Sequence, residues 1–356
     1  MAQSKPPPDA GKTAEPSTLL DVGPPVGPSR REILRRAGMA AGLMASTAAI
    51  AKWRWDRGGF GQAFAEGQRQ VRDFRLRNDP GPLDLAIAHG KPKEGGTPAT
   101  PTQLVEAVLA AMGGMQRFVS RGDIVAIKPN IGWDRSPLHG ANTNPEVVAA
   151  VVKACYSAGA KHVVVTDASC NDPGRCFQKS GIWNAAYAMG AEVVLPTEHR
   201  FRSMRLRGAL LDEWPVYTPL INADKVINIP VAKHHNLSKY TAAMKNWYGV
   251  LGGRRNRLHQ SIDLSIADLA TFMRPTLTIV DAVRVLMRNG PQGGNFDDAR
   301  EAHIVAASTD QVAIDAWGCQ LIGQKRENLQ YLALAQERGI GTMAFEKLRI
   351  KEVSVV

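Results

Sequence analysis

The sequence predicts an α/β fold with a largely parallel or mixed sheet and helices on both faces. Short β-branched runs alternate with stretches of helical periodicity along most of the chain. The runs at 123–127 and 161–166 are built around Ile-Val-Ala-Ile and Val-Val-Val, as buried strands are. Asn, Pro and Gly stand where helices should begin and end. With 356 residues, 44% hydrophobic and 22% charged, the chain can bury a sizeable core.

In order, 83–88 reads as a strand and 102–118 as a helix opened by Pro101 and Thr102. Residues 123–127 form the next strand. Asn144 and Pro145 open a strong helix to Ser157, because Asn caps well and Pro suits the first turn. Gly159 ends it, and 161–166 is a buried strand. A helix is predicted over 177–189, then strands over 192–195 and 225–229. Helices follow at 239–248 and 262–272, and strands at 276–280 and 304–307. Helices over 309–321 (capped by Thr309 or Asp310) and 328–336 precede a last strand at 348–355. The irregular stretch 198–217 reads as a small subdomain or insertion.

Residues 1–28 are rich in Pro, Gly, Ser and charge and do not support a packed core. Ser29-Arg30-Arg31-Glu32-Ile33-Leu34-Arg35 then matches a twin-arginine export signal, followed by a weakly apolar stretch at 37–51 that is too short for a comfortable membrane span. Cleavage is expected after Ala51 or Ala65, unless the segment stays as an anchor. The organisation expected is a signal peptide with its n-region at 1–51, a linker at 52–82 and one α/β domain at 83–356. The destination is the periplasm or another extracytoplasmic space, reached folded through the twin-arginine translocation machinery. No later stretch reaches 18 apolar residues, so no stable span is expected after cleavage.

A net charge of +11 suits a solvated surface or an anionic ligand. No basic stripe is interleaved with aromatics, so nucleic acid is not an expected partner. Cys155, Cys170, Cys176 and Cys319 lack Cys-x-x-Cys spacing. Cys170 and Cys176 flank a turn-rich stretch, so a disulfide, free thiols and soft metal ligands stay open. The chain has no Gly-x-Ser-x-Gly, Walker or His-Glu-x-x-His motif, which removes support for ordinary serine hydrolases, nucleotide triphosphatases and zincin proteases.

In open α/β sheets ligands gather at the carboxyl ends of strands, so polar residues there are the candidates. Lys128 and Asn130 follow the first buried strand, and Lys128 can hold a phosphate or carboxylate or point to water. Asp167 follows the next and suits a metal, a ligand hydroxyl or a turn cap. Lys233, His234 and His235 form the densest cluster. Adjacent side chains diverge, so at most one of the two imidazoles faces a given site. Lys245 and Asn246 offer a cation and an amide, and a desolvated Lys245 can act as a base. Asp281 ends a strand, and Gly293 and Gly294 lie in a glycine-rich turn whose amides could approach an anion.

Several ordered motifs belong together: Lys128-Pro129-Asn130, the Asn144-Pro145-Glu146-Val147-Val148 helix start, Gly159-Ala160, Asn228-Ile229-Pro230 with Lys233 and His234, Lys245-Asn246 with Gly249, Asp281, and Gly290-Pro291. Across roughly 83–320 they resemble the bacterial domain-of-unknown-function family 362. The resemblance implies a fold and a shared polar site and leaves the reaction open. Some members carry a ferredoxin-like cysteine cluster; the cysteines here do not support an iron–sulfur cluster. A divalent metal is a possible cofactor, with His234, Asp167 and Asp281 as candidate ligands.

The expected function is that of an exported enzyme, an oxidoreductase or isomerase, acting on a small carboxylate or phosphate. Lys128, Asn130, Lys233, Asn246, Gly293 and Gly294 would bind it. His234, Lys245 and Asp281 would do the chemistry. The alternatives are a non-catalytic metal- or anion-binding protein and an electron-transfer accessory.

Overall fold

A computed structural model describes residues 72–77, 79–92 and 96–355, together with Arg31 and Leu34. The rest of the expected export segment, both candidate cleavage sites and most of the linker lie outside the described residues.

The strands are β1 (Arg72–Asp73), β2 (Leu85–His89), β3 (Ile124–Pro129), β4 (His162–Thr166), β5 (Glu192–Val194), β6 (Phe201–Arg205), β7 (Glu213–Tyr217), β8 (Lys225–Ile229), β9 (Val231–His235), β10 (Lys239–Thr241), β11 (Met273–Arg274), β12 (Leu277–Leu286), β13 (Ala299–Ser308) and β14 (Ile350–Ser354). The helices are α1 (Pro101–Ala111), α2 (Pro145–Ser157), α3 (Pro173–Lys179), α4 (Ile182–Ala188), α5 (Thr218–Ile221), α6 (Ile262–Phe272), α7 (Gln311–Gly318) and α8 (Gln330–Glu337).

The main sheet runs β14-β2-β13-β12-β8-β3-β4-β5, with β9 beside β12 and β10 beside β9. It is mixed. β13 is antiparallel to β2 and β12, while β12, β8, β3, β4 and β5 pair in parallel. Alternating residues feed two cores, as a pleated strand requires. Ala86 and Ala88 join α1, α2 and α4 on one face, and Ile87 joins α6, α7 and α8 on the other. The expected mixed α/β architecture with helices on both faces is therefore the one observed.

Helix α2 starts as its sequence predicts: the Asn144 side chain accepts from Glu146 N, with Pro145 in the first turn. Three expected helices are shorter than their periodicity. The first ends at Ala111 because Gly113 and Gly114 take positive φ, and a 3-10 turn follows at Met115–Arg117. The stretch 177–189 divides into α3 and α4 at Gly181, again at positive φ. The stretch 309–321 is helical only over α7, with Asp310 as its cap and a 3-10 turn beyond. Residues 239–248 are not an α-helix. They form β10 and then a 3-10 turn at Lys245–Val250, because β10 pairs with β9 and Asp315 on α7 takes the amides of Ala243 and Met244. Within 198–217, β6 and β7 make a separate two-stranded antiparallel sheet. No helix among the described residues is long and apolar enough to cross a membrane.

Candidate functional site

The chain turns that follow β3 and β4, together with β9 and the 3-10 turns at 245–261, surround one cavity of about 130 Å³. That is well above the roughly 10–15 Å³ a single water needs. Asn130, Asp167, Lys233, Lys245 and Asn246 line it, so five of the residues singled out in the sequence converge. His235, Arg255, His259, Tyr248, Gly249 and Cys170 complete much of the wall.

Lys128 supports the cavity from beneath without lining it. Its Nζ lies 2.7 Å from Asp167 Oδ1, with the side chains 0% and 2% exposed. The other carboxylate oxygen accepts from Ile131 N at 2.7 Å. Burial depresses the Lys128 pKa and the Asp167 charge opposes that shift. An added Cβ on Gly249 would stand 1.8 Å from Asp167 Oδ1, so the glycine is what lets this turn close over the pair.

Beside it, amides knit the strand ends together. Lys233 Nζ donates to Asn130 Oδ1 at 2.7 Å, Asn130 Nδ2 to Asn246 Oδ1 at 3.1 Å, and Asn246 Nδ2 to Asn228 Oδ1 at 2.8 Å. Asn228 Nδ2 then donates to Ala243 O at 2.9 Å. The network fixes Lys233 while leaving its cation without a carboxylate. Burial, then repulsion from Lys245, brings Lys233 down to about 7. Burial likewise lowers Lys245 to about 8. Lys245 Nζ sits 4.5 Å from the Tyr248 ring centroid and has no hydrogen bond or ion pair among the described residues. Arg255 reaches the same wall while donating to the carbonyls of Ala168, Ser169 and Tyr248.

The two cavity imidazoles have complementary tautomers. His235 Nδ1 accepts from Leu237 N at 3.1 Å and Ser238 N at 3.2 Å, so its proton sits on Nε2. Burial first, and then the Lys245 and Lys233 charges, hold it neutral with a pKa of about 2. His259 Nδ1 lies 3.1 Å from Asn256 O, to which it can only donate, so its neutral ring carries a lone pair on Nε2. Burial and Lys245 lower its pKa as well. The rings stack with centroids 6.2 Å apart and planes 9° from parallel.

Other expected site residues stand elsewhere. His234 is not part of the cavity wall; its Nδ1 accepts from Gly290 N at 3.2 Å. Lys233 and His235 share a face of β9 and His234 takes the opposite one, as the period of two dictates. Asp281 lines a separate hollow of about 180 Å³. Its oxygens accept from Asn144 N and Val283 N, tying the start of α2 to β12, and burial raises its pKa to about 6. Gly294 N donates to Asp298 Oδ2 and Gly293 N to Asn289 O, so these amides already have partners. Asp167, His234 and Asp281 therefore do not share a ligand set. Among the described residues no group of three His, Cys, Asp or Glu is placed to hold a metal. Cys170 and Cys176 are free thiols; Cys176 is buried in the core while Cys170 is exposed at the cavity.

His235, His259 and Arg255 carry much of the site; His235 stood in the Lys233–His235 cluster with His234 preferred to it, and His259 and Arg255 were not singled out in the sequence. A signal existed for His235, two residues from Lys233 on a strand. His259 and Arg255 lie on 3-10 turns, which leave no periodic trace.

A family model described as "Domain of unknown function (DUF362)" matches residues 125–320, more than half of the chain. The chain belongs to the DUF362 family. Asn130, Asp167, Lys233, Lys245, Arg255 and Pro291 all fall within that DUF362 segment. The chain is 26% identical over 257 residues to a thylakoid-associated protein, sll1697, of Synechocystis sp., covering 68% of this chain and 76% of that one. Among solved structures it is similar to the lactate racemase apoprotein from Thermoanaerobacterium thermosaccharolyticum, with a TM-score of 0.36, 12% identity and 69% of this chain covered. A crystallised protein from Thermotoga maritima gives a TM-score of 0.37 at 12% identity with 65% covered. The chain spans 58% and 60% of those two chains, respectively.

Proposed function

We propose that this DUF362 protein is an enzyme that holds a small carboxylate- or phosphate-bearing molecule in the cavity and moves a proton on it. One observation carries the reading: Lys233, Lys245 and Arg255 converge on a single cavity whose carboxylate, Asp167, is committed to Lys128. Uncompensated cations at a strand-end cavity favour an anion, and its negative charge would restore the charge that burial takes from the two lysines.

The proton-transfer groups follow from protonation states. Lys245, at about 8, is populated in both forms near neutral pH, where a general acid or base works best. His235 offers an N–H and His259 a lone pair, so one ring can hydrogen-bond a ligand oxygen while the other accepts a proton. Proton transfer of the isomerase type is the chemistry that these side chains themselves supply. His235 and His259 take the places that the sequence reading gave to His234 and Asp281.

Isothermal calorimetry with phosphate and acetate, and solvent-deuterium exchange into small carboxylic acids, test this reading. Binding that weakens at least tenfold in Lys245→Met, with exchange in the wild-type chain, supports it. Binding without exchange would make the protein a passive anion binder. Unchanged binding in Lys233→Met and Lys245→Met would remove the site.

The arginine pair and the apolar stretch after it support an extracytoplasmic location reached through the twin-arginine machinery. Replacing Arg30 and Arg31 by Lys should leave the chain in the cytoplasm. Identical fractionation of variant and wild type would count against export by this route.

A further inference from the structure

Lys245 is the cavity's unusual group. Lys128 is bound to Asp167, and Lys233 is bound to Asn130 and the Ala141 carbonyl. Arg255 is bound to backbone carbonyls. The Lys245 amine alone meets only an aromatic face, that of Tyr248, within the wall of a small cavity. A lysine beside a second cation and away from carboxylates is disposed to lose its proton, and a neutral amine is a nucleophile. Around it Lys233 and Arg255 supply charge for a carboxylate, and His235 supplies an N–H for a carbonyl oxygen.

We propose that Lys245 forms a Schiff base with a small 2-oxo acid whose carboxylate is held by Lys233. This deepens the anion-binding reading and rests on it. The neutral Nζ attacks the ketone carbon, forming a C–N bond while the carbonyl oxygen takes up a proton. The carbinolamine then expels that oxygen as water, with a second proton delivered to it, and the C=N bond forms. Amine and ketone give imine and one water, so no oxidant, reductant or other reactant is needed. His259 Nε2 can take the proton that Nζ sheds on attack and pass it to the carbonyl oxygen, and Lys233 can donate the second proton to the departing water and recover one from the imine nitrogen. The reaction needs Lys245 deprotonated and Lys233 protonated. A bound carboxylate beside Lys233 favours the protonated form of that lysine. The titratable and charged groups that share the cavity wall with this amine are Asp167, Cys170, Lys233, His235, Tyr248, Arg255 and His259.

The test is reductive trapping on the full chain. The protein is incubated with pyruvate and borohydride, digested, and mapped by mass spectrometry, with pyruvate binding followed by calorimetry in parallel. The expected result is one dominant adduct on the peptide containing Lys245, suppressed severalfold by excess acetate. It should be lost in Lys245→Arg, which keeps the charge and whose fold is checked by its melting curve. Pyruvate that binds without forming the adduct, or adducts spread evenly over surface lysines, overturns the proposal and leaves anion binding standing. Absence of binding to pyruvate, acetate and phosphate alike overturns both.

Discussion

Lys128 and Asp167 form an ion pair at 2.7 Å where the ends of β3 and β4 meet, with Gly249 closing over it. Two charges buried together are costly to separate, because the survivor keeps its desolvation penalty without its partner. Lys128→Ala should lose about 3–5 kcal/mol of unfolding free energy. Replacing both residues by apolar ones of similar size should cost less than the single change. Urea denaturation of the two variants makes the comparison.

Gly249→Ala should destabilise for a different reason. The methyl would collide with the Asp167 carboxylate, which is held by Lys128 and Ile131 N and has no room to yield. Overpacking of this kind costs about 1–3 kcal/mol. Gly294→Ala, where a Cβ meets nothing within 4 Å, is the control and should be close to neutral in the same unfolding experiment.

Lys233 should impose a pH dependence on stability. Its pKa is about 7 folded, against roughly 10.4 for an unperturbed lysine, so the unfolded chain holds more protons between those values. Its contribution to stability therefore rises with pH from about 7 to about 10. Below pH 7 the full penalty of charging the buried amine is present. Lys233→Met should flatten this part of the curve. Anion affinity should run the other way, falling as pH rises through 7 and 8, by about tenfold for each unit by which the ligand raises either lysine pKa.

Asp315 positions the turn that carries Lys245. Its carboxylate is fully buried on α7 and accepts from Ala243 N at 2.7 Å and Met244 N at 2.9 Å. Asp315→Asn turns an amide N–H toward one of those donors, and should cost about 1–3 kcal/mol. It should also weaken anion binding without touching the ligand. Burial raises Asp315 to about 7, so its ionised form is disfavoured and its contribution to stability falls as pH rises from about 4 to 7. Thermal melts across that range, compared with Asp315→Asn, should show the slope in the wild-type chain alone.

The sheet was legible where the chain is buried on both sides. β3, β4 and β8 announce themselves as runs of Val and Ile, and α2 through Asn144 and Pro145. Residues 239–248 were not, because Ala242, Ala243 and Met244 favour a helix locally while β9 pairing and Asp315 override them. At the site, Asn130 and Lys233 were readable from their places after strands, and Lys245 and Asn246 as a cation and an amide side by side, although on an expected helix. The choice between His234 and His235 was not, because adjacent residues diverge but only the pairing of β9 decides which of the two faces the cavity. Asp281 and Gly294 looked functional because polar or glycine-rich residues at strand ends serve ligands and backbone amides equally, and here they serve amides and Asp298.

The most direct test of the account is a crystal structure grown near pH 6.5 in the presence of a small carboxylate such as acetate. The anion should occupy the 130 Å³ cavity, within hydrogen-bonding distance of Lys245 Nζ. An empty cavity beside an anion bound at another site would contradict it.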